Sequence, residues 1–132
     1  MRTPSIERSL KLLHPEAIQL FESFAAELLL LDETRGFKPF ETYRTPMRQI
    51  YLKNLQPPLT RNPPWISAHQ YGMAVDFVWQ DQQTGDWTWD IADTHYNALA
   101  NSAKSIGLNV PVKWDKGHVE LLHWRSKVFP KP

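Results

Sequence analysis

Apolar residues recur at helical spacing from Pro15 to about Thr34, with Ala17, Ile18, Phe21, Phe24, Ala25, Leu28 and Leu29 on one face. Pro15 suits a first turn, and Gly36 stands where a C-terminal cap would. The pattern predicts a core-packing helix without chemistry of its own. Phe37 to Tyr43 reads as a short strand, which Pro39 pushes toward a sheet edge or a bulge. Thr45-Pro46 is an N-cap followed by a good first helical residue, so a second helix should run from Pro46 to about Leu55. Gln56 to Ile66 holds Pro57, Pro58, Pro63 and Pro64 and reads as a rigid loop, with Thr60 and Trp65 as candidate cleft residues and Trp65 equally a candidate core anchor.

The pattern then changes period. Met73, Val75, Phe77 and Trp79 fall on one face of a strand, and Ala74, Asp76 and Val78 on the other. Asp81 to Asp86 is a polar turn, with Trp87 and Trp89 placed to pack over it. A helix follows from about Asp90 or Asp93 to Ile106, with Gly107 as its stop; His95, in its first turn, reads as a surface histidine. Leu108 to Val112 reads as irregular, His118 to Leu122 as a final strand, and Arg125 to Pro132 as a fraying basic tail. Together these elements predict an α+β fold, a small antiparallel sheet flanked by helices.

Composition narrows the picture. The chain has 132 residues, which predicts one domain over 1–132 with a real core and no room for a second module. Its 42% hydrophobic content and six tryptophans argue against disorder. A net charge of +1 implies no strong pull toward nucleic acid or a membrane surface. Met1 to Lys11 has no apolar signal-peptide core, and Leu28 to Leu31 is too short to span a bilayer. We therefore expect a protein made in the cytosol, monomeric and not inserted in a membrane. Cysteine is absent, so a metal site would have to use histidine and carboxylate ligands.

The candidate chemistry centres on Ser67-Ala-His69-Gln-Tyr-Gly72-Met-Ala74-Val75-Asp76. A carboxylate in so apolar a strand is expensive unless a cation or hydrogen bonds satisfy it, and a metal shared with His69 is the simplest compensation. Ser-x-His-x-x-Gly-x-Ala-x-Asp resembles the zinc signature of the M15 peptidases, which cut the peptides of bacterial peptidoglycan. Phe40 to His123 carries the resemblance. It implies a hedgehog/DD-peptidase-like fold, a Zn²⁺ cofactor and a peptidoglycan stem peptide as substrate. Thr42-Tyr43-Arg44-Thr45 with Gln49 resembles the family's second motif, whose arginine reaches the active site. On that basis Arg44 is a catalytic candidate, and Ser67 and Gln49 are substrate-binding candidates. Without the resemblance, Arg44 would read as a surface arginine paired with Glu41 or Asp32.

In the family the general base is an acid three positions before the last histidine ligand. This chain offers two such pairs, Asp115 with His118 and Glu120 with His123. The first resembles the L-alanyl-D-glutamate endopeptidase branch, which includes phage endolysins. The second resembles the D-alanyl-D-alanine carboxypeptidase branch. Domain length, the lack of a signal peptide and the phrase Asp-x-x-His-Val-Glu-Leu favour Asp115 as base and His69, Asp76 and His118 as metal ligands. Strand alternation agrees, because His118 in the cleft leaves Val119 and Leu121 for the core. Glu120 would then orient a ligand's free ring nitrogen. The non-heme iron oxygenases also use two histidines and a carboxylate, but those of the common type carry His-x-Asp, unlike the longer spacing here. A non-catalytic phage structural or cell-wall-binding domain with a structural zinc explains the ligands, but not the spare acid or Arg44.

Overall fold

The computed structural model describes residues 3–60, 62 and 67–129. Its elements are α1 (Pro15–Leu28), β1 (Phe37–Glu41), α2 (Pro46–Asn54), β2 (Ala74–Gln80), β3 (Trp87–Thr88), α3 (Asp93–Ser105), β4 (Leu108–Asn109), β5 (His118–Leu121) and α4 (Trp124–Val128). Short 3-10 turns at Leu10–Leu12 and Ala68–Tyr71 complete them. All strand pairs are antiparallel, in the order β1-β2-β5-β4, with β3 added to β2. The fold is α+β, a small antiparallel sheet flanked by helices. Among the described residues, no helix is long and apolar enough to cross a membrane.

The two faces of the sheet divide the labour. Val75 and Phe77 on β2, with Val119 and Leu121 on β5, are buried in the core with Phe21 and Phe24 of α1 and Leu99 and Ala103 of α3. Phe24 meets Phe77 edge to face at 5.3 Å between ring centroids, a favoured aromatic geometry. On the opposite face the register pairs Asp76 with His118, Ala74 with Glu120 and Glu41 with Asp76. Residues directly opposite in an antiparallel pair share a face, so the polar residues converge there.

Several boundaries differ from those the sequence predicts. α1 stops at Leu28, not near Thr34, because the Thr34 hydroxyl donates to Leu28 O at 2.7 Å and folds the chain back in turns. Gly36 therefore caps no helix. It lies against the Trp79 ring, where a Cβ would clash. Pro39 brings both of its expected consequences: β1 is an edge strand, and its register shifts between Pro39 and Glu41. Leu108–Asn109 is not irregular but pairs with Leu121 and Glu120. The tail forms α4, because Trp124 is 5% exposed and Tyr71 packs on both Trp124 and Phe129. His95 is half-buried rather than superficial, packed on Trp79 at 4.4 Å and bonded to Glu33 O at 2.8 Å. Trp65 and the chain beyond Phe129 lie outside the described residues.

Two glycines with positive φ test this packing. Gly72 (φ 68°) ends the turn carrying His69, and a Cβ there would collide with the backbone of His14. Gly107 (φ 87°) has open space around it. Gly107→Ala should cost about 1–2 kcal/mol for the left-handed backbone alone. Gly72→Ala should cost clearly more, read as the larger drop in urea midpoint at unchanged slope.

Candidate metal centre

Three side chains meet on the polar face. His69 comes from the 3-10 turn, where the Ser67 hydroxyl accepts from His69 N at 3.3 Å and fixes the start of the turn. Asp76 lies in β2 and His118 opens β5. Asp76 Oδ1 is 3.0 Å from His69 Nε2 and 3.2 Å from His118 Nδ1. One potential ligand atom from each lies within 4.8 Å of the others, so the group could hold a metal ion.

The outer contacts support that fit. His69 Nδ1 is 3.0 Å from Thr42 O, where it can only donate, which leaves Nε2 unprotonated in the neutral ring. His118 Nε2 is 2.9 Å from Glu120 Oε1, and the same logic leaves Nδ1 free. With both rings neutral, each imidazole would turn its lone pair into the site while a carbonyl or carboxylate holds its other nitrogen, a usual arrangement behind metal-binding histidines. Two nitrogens and one carboxylate oxygen form a donor set suited to zinc.

Without an ion, protons must balance the charge. Burial pushes the Asp76 carboxyl up, but the neighbouring imidazoles outweigh it and hold the group well below the usual carboxylate range. Burial pushes His118 down, but hydrogen bonds to Asp76 and Glu120 prevail and raise it to about 10. Asp115 is raised by partial desolvation and then by the Asp76 charge, with His118, His69 and Arg44 as its other electrostatic neighbours. The residue is exposed, so solvent tempers that shift.

Arg44 belongs to the same cluster. Its backbone N–H donates to His69 O at 3.1 Å, tying the start of α2 to the turn. It is 8% exposed, and its Nη2 is 2.9 Å from Glu41 Oε1 and 3.5 Å from Asp76 Oδ2. The partnership with Glu41 exists, but inside the site rather than at the surface. Gln49 is wholly buried: its Oε1 accepts from Arg44 Nη1 at 3.0 Å, and its Nε2 donates to Thr60 Oγ1 at 3.2 Å and Asn62 O at 2.8 Å. Its amide is committed to holding Arg44 and the loop after α2.

The alternative pair is not assembled. Glu120 lies beside His118, while His123 follows β5 as an exposed residue with φ 60° and stands outside the ligand group. The sequence reading missed Glu41 and Arg48 as site residues. A signal was present: a glutamate inside the strand expected over Phe37 to Tyr43, followed within seven residues by two arginines, is costly unless they pair.

The fold and site together describe a small α+β protein with a potential His-Asp-His metal centre. The crystal structure of Serratia marcescens L-Ala D-Glu endopeptidase ChiX has a TM-score of 0.59 to this chain at 23% identity, covering 98% of this chain and 93% of that one. That likeness shows a shared fold. No family model matches the sequence, and no curated protein does.

Two predictions follow from the geometry. In calorimetric titration with Zn²⁺, His118→Ala should lose stoichiometric binding, while His123→Ala should keep it. Glu41 gives a pH test. Burial raises its carboxyl, but Arg44 and Arg48 pull it below its ordinary 4.5. A depressed carboxylate contributes stability that is complete above the unfolded value and is lost as pH falls through the folded one. The cost of Glu41→Gln in urea denaturation should therefore be largest above pH 4.5 and shrink as the solution is acidified.

Proposed function

We propose that this chain is a zinc-dependent peptidase that cleaves the stem peptides of bacterial peptidoglycan, with the L-alanyl-D-glutamate bond as its target. One observation carries the reading: His69, Asp76 and His118 converge with their outer nitrogens already held, and Arg44 stands beside Asp76. The M15-like sequence motifs support it, as does the fold shared with a protein named as an L-Ala D-Glu endopeptidase.

Each residue has a distinct task. His69, Asp76 and His118 would hold the ion, which when bound supplies a Lewis acid that acidifies a water and polarises a carbonyl. Asp115, near the site and open to solvent, takes the proton of the attacking water and passes it to the leaving amine. Its raised pKa suits a group that must both accept and return a proton. Arg44 holds the carbonyl oxygen as negative charge develops there, or binds a carboxylate of the substrate. Ser67 acts on the backbone of His69, and Gln49 on Arg44. The substrate lies outside the cytoplasmic membrane, so a protein made in the cytosol would reach it through a membrane pore or by export, as phage lysis enzymes do.

Mass spectrometry of digested peptidoglycan tests the reading. Products should show cleavage between L-alanine and D-glutamate, chelation should abolish it, and Zn²⁺ should restore it. Release of a terminal D-alanine would move the protein to carboxypeptidase action, and intact peptidoglycan would leave a structural zinc domain. Arg44→Ala should retain metal and slow turnover by roughly two to three orders of magnitude, with little rescue by Arg44→Lys. Asp115→Asn should bind zinc and be nearly inactive, because an amide cannot accept the proton.

A further inference from the structure

Behind the candidate ligands lies a second buried group of charges, in which two arginines share one glutamate. Glu41 is 3% exposed; its Oε1 accepts from Arg44 Nη2 and its Oε2 from Arg48 Nε, each at 2.9 Å. The β1 bulge puts it there. Register continued from Pro39 opposite Phe77 would set Phe40 opposite Asp76 and Glu41 opposite Val75, on the core face. The shift instead sets Glu41 opposite Asp76.

Arg44 therefore stands between two carboxylates. Its Nη2 is hydrogen-bonded to Glu41 but still 3.5 Å from Asp76 Oδ2. A buried guanidinium needs a counter-charge, and among the described residues the carboxylate in ion-pair range of Arg44 besides Glu41 is Asp76. The two imidazole nitrogens face Asp76 Oδ1 and Arg44 faces Oδ2, so a guanidinium closed onto Oδ2 would draw charge from the carboxylate and pull Oδ1 out of line with the imidazoles. An Arg44 closed onto Asp76 would weaken the metal site and withdraw its own donors from substrate.

The geometry points to Glu41 as a positioning residue that holds Arg44 off Asp76, reserving the Asp76 carboxylate for the metal and Arg44 for the substrate. Arg48 completes the device by occupying the other Glu41 oxygen, which fixes the carboxylate's orientation. The inference rests on the reading of His69, Asp76 and His118 as a metal site.

A double-mutant cycle on zinc affinity tests it, read by competition with a chromophoric chelator at fixed pH, for wild type, Glu41→Gln, Arg44→Ala and the double variant. The amide keeps the shape of Glu41 but has a donor where one acceptor was. Glu41→Gln should weaken zinc binding by roughly 10–100-fold, the range for losing a partner just outside the ligands. Arg44→Ala should change affinity by no more than about twofold in the wild-type background, yet restore most of the loss in the Glu41→Gln background. A merely structural Glu41 would not give this background dependence. The same Arg44→Ala factor in both backgrounds, or unchanged affinity in Glu41→Gln, would overturn the inference and leave the metal site standing. Wild type that takes up no zinc would overturn both. If melting curves show that Glu41→Gln does not fold, Glu41→Asp carries the same cycle, since it keeps the charge but shortens the reach to Arg44.

Discussion

The confinement of the half-buried Asp76 carboxylate to the polar face of β2 is the constraint to which the rest of the site responds. β2 runs through the middle of the sheet with Val75 and Phe77 locked into the core, so Asp76 cannot turn away from its neighbours. A negative charge there must be met by donors or cations. The structure supplies His69 from one turn, His118 from the adjacent strand and Arg44 from the approach to α2. Three separate chain segments thus converge on one carboxylate, with His69 and His118 in contact with it and Arg44 3.5 Å away, each held in turn by its own partner: Thr42 O, Glu120 and Glu41.

Charge explains why those outer partners are needed. A divalent metal ion and Arg44 together would set three positive charges against the one Asp76 carboxylate, with Arg48 close behind Arg44 on Glu41. Glu41 offsets the arginines on one side, and Glu120 shares His118 on the other. The arrangement separates cations that would otherwise repel. Buried pairs of this kind add little net stability, but breaking one leaves an uncompensated charge. Their value lies in fixing geometry that a flexible surface arginine could not hold.

Much of this was legible in the sequence: the motif resemblance singled out His69, Asp76, His118 and Arg44, and periodicity placed the two strand residues. Alternation in Met73 to Trp79 separates Asp76 from the core face, and alternation in His118 to Leu122 puts His118 opposite Val119 and Leu121. The observed pairing of Asp76 with His118 joins those two polar faces. What the pattern hid were events that change register or depend on distant contacts. The Phe40 bulge moves Glu41 to the polar face, whereas strict alternation would assign it to the core. The end of α1 depends on a hydroxyl six residues further on, and α4 depends on Trp124 finding Tyr71. No local propensity encodes either contact.

The same distinction bears on the two acid-histidine pairs. Spacing alone makes Asp115 with His118 and Glu120 with His123 equivalent, since each acid precedes its histidine by three. Strand geometry removes the equivalence. His118 and Glu120 share the polar face of β5, so the glutamate meets the ring two residues before it at 2.9 Å. His123 follows the end of the strand in a left-handed conformation and lies exposed. For His123 to join Asp76, the strand would have to continue past Leu121 and invert its faces, which would drive Val119 and Leu121 out of the core. At roughly 1.5–3 kcal/mol for exposing a buried aliphatic side chain, that rearrangement is disfavoured by the same core that positions His118. Hydrophobic burial on one side of β5 thereby decides which histidine faces Asp76 on the other.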